Sequence, residues 1–183
     1  MMSADATRAM WIEEYETVNT RRRASGTVGV ANPDMVAGKS GLEVMQDLLA
    51  GKLPLPPMAD TLDYLLVHVE HGKAVFQGTP QAMHYNPMGG VHGGWFATLL
   101  DSALGCAVQT ALPAGLGYTT AELSVNIVRG ANAKTGPLRA IGEVIHCGRQ
   151  LATAQARLVG PDGKLYAHGT TTCLVFEPQP RKI

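Results

Sequence analysis

Residues Gly93 to Leu112 make the most apolar run in the chain, and its large residues are spread around a helix instead of along one stripe. Trp95, Phe96, Leu99, Leu100, Ala103, Leu104, Ala107, Val108 and Ala111 satisfy a helical period and spill onto other faces as well. A helix that is apolar nearly all round is buried on nearly all sides. The spacing predicts one helix over Gly93 to Thr110, roughly 27 Å long at 1.5 Å per residue, and the rest of the chain must supply its wrapping. Thr98, Asp101, Ser102 and Gln109 interrupt the run, and an acid at mid-bilayer is costly, so it reads as a buried helix and not a membrane span.

The wrapping is legible on both sides of that helix. Downstream, Tyr118 to Arg129 alternates, with Ala121, Leu123, Val125 and Ile127 expected on one face and Glu122, Ser124 and Asn126 on the other. Strand-like runs follow at Leu138 to Cys147, Leu151 to Val159 and Leu165 to Phe176, the last three joined by hairpin-length turns at Gly148-Arg149-Gln150 and Pro161-Asp162-Gly163. Upstream, Leu62 to Glu70 and Lys73 to Thr79 flank His71-Gly72 as a further hairpin. Ser40 with Glu43 forms a capping-box pattern ahead of a short helix ending near Gly51, and the Pro-rich stretch Leu53 to Pro57 is a connector. The expected architecture is α+β, an antiparallel meander curved around a single central helix. Residues 1–39 read as an N-terminal extension packed on the domain or on a partner subunit, with a short helix at Ala9 to Tyr15 and a solvated Arg21-Arg22-Arg23 run. The domain itself is expected over 40–177, with a tail at 178–183.

Composition narrows the function. Fifteen basic and fifteen acidic residues in 183 give no net charge, so there is no basic excess to neutralise nucleic acid or an anionic membrane. Charged residues make up only 16%, which excludes charge-driven disorder. Cys106, Cys147 and Cys173 are odd in number and widely spaced, fitting neither a disulfide framework nor a zinc site, and are expected to be core thiols. The start of the chain shows no secretory signal, so the expected location is cytoplasmic.

Between His84 and Gly130 the charged residues are Asp101, Glu122 and Arg129, and Asp101 falls within the apolar helix. A carboxylate there is either a structural acid satisfied by nearby donors or a general base or nucleophile. His92-Gly93-Gly94 stands at the helix start, where unpaired N–H groups and the positive dipole end can hold a developing oxyanion and the glycines admit close approach. Asn86, on the preceding loop, carries an amide able to hold a carbonyl or a water, or simply forms a turn beside Pro87. Gly93 and Asp101 are eight residues apart, roughly 12 Å along one helix, too far for both to touch one carbonyl. If both act on one bond, the acid comes from a second, antiparallel helix, which predicts a twofold dimer with composite sites.

The run His84-Tyr85-Asn86-Pro87-Met88-Gly89-Gly90-Val91-His92-Gly93-Gly94, followed by Asp101, resembles the signature of hotdog-fold acyl-CoA thioesterases of the phenylacetic-acid-degradation (PaaI-like) type. The runs Gly117 to Thr120, Val125 to Arg129, Gly136 to Leu138 and Ala167 to Thr171 are similar to that family too, as is Ser40 to Pro57, so the resemblance covers about residues 40–177. It implies a hotdog fold in which Asp101 is the catalytic carboxylate, the Gly93 N–H polarises the thioester carbonyl, and Asn86 and His92 help to position it. It also implies an acyl-CoA substrate, a homodimer with shared sites that pairs further into a homotetramer, and no metal or resident cofactor. One departure stands out: where some relatives carry Ser or Thr one turn beyond the acid, this chain has Gly105, and Ser102 lies about 100° around the helix from Asp101. Gly94, Trp95, Arg129 and Arg149 are expected substrate contacts, the two arginines together with Lys134 facing the CoA phosphates. A hotdog hydratase or dehydratase using His92 with Asp101, and a non-catalytic acyl-CoA-binding module, are the other readings these residues allow.

Overall fold

The computed structural model describes residues 2–178, so most of the tail placed at 178–183 lies outside the described residues. Its elements are α1 (Ala4–Ser25), α2 (Pro33–Val36), α3 (Gly41–Leu49), α4 (Pro57–Thr61), β1 (Tyr64–Glu70), β2 (Lys73–Gly78), α5 (Gly93–Thr110), β3 (Gly117–Ile127), β4 (Leu138–Cys147), β5 (Leu151–Val159) and β6 (Leu165–Phe176). Six strands form one antiparallel sheet in the order β1-β2-β4-β5-β6-β3, curved around α5. This is the α+β hotdog architecture.

The bounds of α5 are those expected from its apolar run, and small residues explain how the sheet comes close to it. Along β5 the inward positions Ala152, Ala154, Ala156 and Leu158 are buried while alternate positions face out. On β4, a Cβ at Gly142 would lie 2.2 Å from the Ala103 carbonyl oxygen, so only glycine lets strand and helix backbones meet there. Trp95, Phe96, Leu99, Leu100 and Leu104 fill the space between helix and sheet. At α3 the capping box forms as expected: Ser40 Oγ accepts from the Glu43 N–H, and the Glu43 carboxylate accepts from the Ser40 hydroxyl and then the Ser40 N–H, bonds that hold its carboxyl below the usual range.

Three expectations require correction. The strands do not form a simple meander: β3 pairs with β6 at the far edge and never touches β4, because residues 128–137 form a connection long enough to cross the sheet instead of a tight turn. Strict alternation along β3 fails at a bulge between Thr120 and Glu122. The extra residue, Ala121, reverses which parity faces the helix, so Tyr118 and Thr120 point at α5 before it and Ile127 reaches Gly93 after it. Helix α5 is buried on nearly all sides, as its apolar run implies, and leaves one open stripe at exposed Gly94 and half-buried Thr98 and Asp101. Cys147 is exposed at the end of β4, unlike buried Cys173.

The N-terminal helix is also longer than its pattern indicated. α1 runs 22 residues from an N-cap at Ser3 to a left-handed Gly26, and its weak amphipathicity hid that length. It docks on β1 and β2 through a buried polar anchor. Arg139 of β4 donates to Gln77 Oε1 at 2.7 Å and to Glu14 at 2.5 Å, and its guanidinium lies 4.5 Å from the Trp11 ring centre. Gln77 in turn donates to the Trp11 carbonyl. The extension is therefore fastened to the sheet of its own chain.

Candidate active site

The loop before α5 builds the helix N-terminus residue by residue. Asn86 Oδ1 accepts from the N–H groups of Met88 at 2.9 Å and Gly90 at 3.3 Å, closing a turn that positive-φ Gly89 completes. The Asn86 carbonyl oxygen is thus spent on the loop, and its amide nitrogen is the part left to donate. His92 is the N-cap of α5: its Nδ1 accepts from the Gly94 N–H at 2.9 Å, which fixes the tautomer and leaves a proton on Nε2. Among the backbone bonds of the described residues the Gly93 N–H has no acceptor, while Trp95 N–H donates to the His92 carbonyl. Of the two glycine amides expected to face a ligand, Gly93 is available and Gly94 is already committed to its cap.

Asp101 lies two turns further on, half-buried on the open stripe. Its Oδ1 accepts from Thr120 Oγ1 of β3 at 3.1 Å. The bulge at Ala121 makes that contact possible, and no sequence pattern signalled it. Gly105, the departure from the family pattern, also has a structural reason: a Cβ there would lie 2.4 Å from the Tyr118 hydroxyl. Tyr118 fills the space that a Ser or Thr side chain would need, and Thr120 supplies a hydroxyl to the acid from the strand instead. Cys106, next along the helix, is no rival nucleophile, because burial and then the Asp101 charge push its thiol up to about 12.

The remaining expected contacts separate. Trp95 is only 3% exposed, donates its indole N–H to the Leu62 carbonyl and stacks 5.3 Å from His84, so it is a core residue with one edge on the cavity at the helix start. His84 is itself buried, and burial holds its imidazole below the usual histidine range. Arg129 is exposed at the end of β3 near Leu165, which is the end of the sheet where Ile127 approaches Gly93. Lys134, in the β3–β4 connection, lies at that same end, whereas Arg149 is exposed in the β4–β5 turn at the opposite end. In one chain the two arginines therefore belong to opposite ends of strands roughly 30–40 Å long at 3.3 Å per residue. Among the described residues no cluster of three or more His, Cys, Asp or Glu is placed to hold a metal ion, and no helix is long and apolar enough to cross a membrane.

An antiparallel sheet around one helix, with a free N–H at the helix start and a hydroxyl-held carboxylate two turns along, defines a hotdog protein of thioesterase type. The thioesterase superfamily matches residues 88–167. A thioesterase-type, phenylacetic acid degradation-related protein from Ralstonia eutropha is 30% identical, covering 70% of this chain and 97% of that one with a TM-score of 0.64. The phenylacetic acid degradation protein PaaI of Thermus thermophilus, in a substituted form, is 28% identical over 64% of this chain and 97% of its own, with a TM-score of 0.58. A protein of Halobacterium salinarum named as an esterase is 37% identical over 73 residues, a stretch covering 40% of this chain and 48% of that protein. The chain spans about half the length of that curated relative. This chain belongs to the thioesterase superfamily, with its structural likeness on the PaaI side.

Proposed function

We propose that the protein hydrolyses acyl-CoA thioesters at a site shared between two copies of the chain. The observation that carries this reading is the division of the machinery along α5: the free Gly93 N–H stands at the helix start, whereas Asp101 is held by Thr120 two turns away. Eight residues of helix separate them by roughly 12 Å, so one carbonyl meets both only when a second chain delivers its acid. In this reading the thioester oxygen is held by the Gly93 N–H and the Asn86 amide as negative charge develops on it, helped by the positive end of the helix. His92 Nε2–H is a further donor at the same place. Asp101 of the second chain either takes a proton from an attacking water, or attacks the carbonyl itself to give an anhydride that water then cleaves to the free acid and the regenerated carboxylate. Collapse of the tetrahedral intermediate expels CoA as its thiolate, which takes up a proton. CoA enters as part of the substrate, and the mechanism calls on no resident cofactor or metal.

The β3 edge supports the assembly. Leu123 is 37% and Ile127 45% exposed on a strand with one unpaired side. Pairing β3 antiparallel with its own copy about a twofold axis near Leu123 and Ser124 sets Thr120 of one chain against Ile127 of the other. That brings Asp101 of one chain toward Gly93 of the next, since Thr120 touches Asp101 and Ile127 touches Gly93. On the outer face of the sheet, Ile145, Leu151, Leu174 and Phe176 are exposed, a surface on which two dimers would pair as a tetramer.

The test is thiol release from acyl-CoAs by the unsubstituted protein and by Asp101→Asn. Turnover falls by about a thousandfold or more, roughly 4 kcal/mol of transition-state stabilisation, while the melting temperature stays close to that of the parent. Near-normal turnover in the variant would defeat the assignment, and tight acyl-CoA binding with no thiol release by the parent would favour a binding module.

A further inference from the structure

Between α5 and the covered edge of the sheet, α1, α3, α4, β1 and β2 line a cavity of about 120 Å³ that the catalytic reading does not use. From α5 it is lined by Cys106 and by Ser102, whose hydroxyl is bonded to the Tyr64 hydroxyl at 3.0 Å. Ser102 is the neighbour of Asp101 in sequence, and the Tyr64 phenol, raised first by burial, also feels the Asp101 charge. The inner walls are buried leucines and Phe76, and the outer rim is half-exposed Val18 and Arg22 of α1 with Gly51. Val18 and Arg22 lie in the extension, upstream of the matched thioesterase segment.

We propose that this cavity receives the apolar tail of the acyl group, and that α1 is there to close its outer wall and so set the size of acyl group accepted. The inference rests on the thioesterase reading and gives its substrate class. Three features point to a hydrocarbon occupant. The lining is overwhelmingly apolar, and burying a hydrocarbon there removes its surface from water. Arg22 is already matched, donating to Asp60 at 3.1 Å and to Asn19 at 3.2 Å, so its rim position attracts no charged tail end. The Ser102 and Tyr64 hydroxyls on this wall are bonded to each other, so their polarity is turned largely on one another and not toward a ligand. Size sets the class: a dry apolar cavity of about 150 Å³ accepts benzene, so this one takes a tail of roughly that bulk, such as a medium aliphatic chain or a single aromatic ring, with little room for a long fatty chain.

The test compares kcat/KM on acetyl-, hexanoyl-, benzoyl- and dodecanoyl-CoA for the full chain and three variants. Ala59→Leu fills the cavity from α4 and Val18→Phe fills it from α1, two independent routes in case one disturbs folding, while Leu49→Ala enlarges it. Each filling variant is expected to lower the hexanoyl-to-acetyl ratio about tenfold, and Leu49→Ala to raise the dodecanoyl-to-hexanoyl ratio. Equal losses on all four substrates, or unchanged ratios, overturn the proposal. Should the unsubstituted protein release thiol from none of them, the hydrolytic reading fails, and hexanoyl-CoA binding by calorimetry then decides the pocket by itself. Binding weakened about tenfold more for hexanoyl- than for acetyl-CoA by Ala59→Leu keeps the assignment, and equal binding overturns it.

Discussion

The β1 edge of the sheet is covered by α1, α3 and α4, whereas the β3 edge carries Leu123 and Ile127 into solvent with one side of its backbone unpaired. An open strand edge is a template for pairing, and folded proteins normally cover, charge or shorten it. Here one edge is closed within the chain and the other is left long and apolar over Gly117–Ile127. The chemistry divides in the same way. On the open side lie Asp101, Thr120 and the exposed stripe of α5, an arrangement incomplete in one copy. On the closed side lies a finished apolar cavity whose roof is the extension. One edge thus completes the reacting groups by association, and the other shapes what reaches them.

Leu123→Glu offers the most drastic way to break this contrast. It places a carboxylate beside its own copy at the proposed axis, where like charges on facing strands repel. The expected outcome is a monomer by sedimentation with its fold retained in circular dichroism, and turnover lost along with the composite site. A fully active monomer would end the two-chain reading. On the covered edge, Arg139→Ala removes a buried guanidinium with two hydrogen-bond partners and a ring beneath it. Losing charge-assisted bonds of this kind costs about 2–3 kcal/mol, equivalent to a fall of roughly 5–10 °C in Tm for a chain of this length. Hydrogen exchange is expected to quicken in α1 well before the sheet, leaving the β3 edge and the oligomeric state as they were.

Much of this division was legible before any coordinates. The helix Gly93–Thr110, the capping box at Ser40 and the bounds of β4, β5 and β6 follow from periodicity and turn chemistry, which are local. The separation of Gly93 from Asp101 required only the helical rise. What escaped was set by contacts between distant segments. α1 has a weak apolar stripe, and its burial depends on Arg139 more than one hundred residues away. The placement of β3 beside β6 depends on a crossing connection that no pattern announces. Gly105 stands in the sequence only as a departure from the family pattern, because its cause, the Tyr118 ring in that space, comes from another segment. The Gly94 amide read as free until the His92 ring was found accepting from it.

Thr120 is the smallest and sharpest of these contacts, and it tests the open edge without disrupting it. Its hydroxyl donates to Asp101 at 3.1 Å, and the Ala121 bulge is what turns it inward. In the proposed mechanism this bond fixes the carboxylate's orientation, and Thr120 acts through Asp101 without touching substrate. Thr120→Val keeps the β-branched shape and removes the donor, so packing and pairing are preserved. One such charge-assisted bond is worth roughly 1.5–3 kcal/mol when it orients a reacting group, which predicts a fall in kcat of about ten- to a hundredfold. Because the residue does not bind substrate, KM is expected to hold. Thr120→Ser, which restores the hydroxyl on a smaller side chain, is expected to recover most of the rate. A loss shared between kcat and KM, or one that Ser does not rescue, would mark Thr120 as a packing residue of β3 and leave Asp101 positioned by the dimer contact instead.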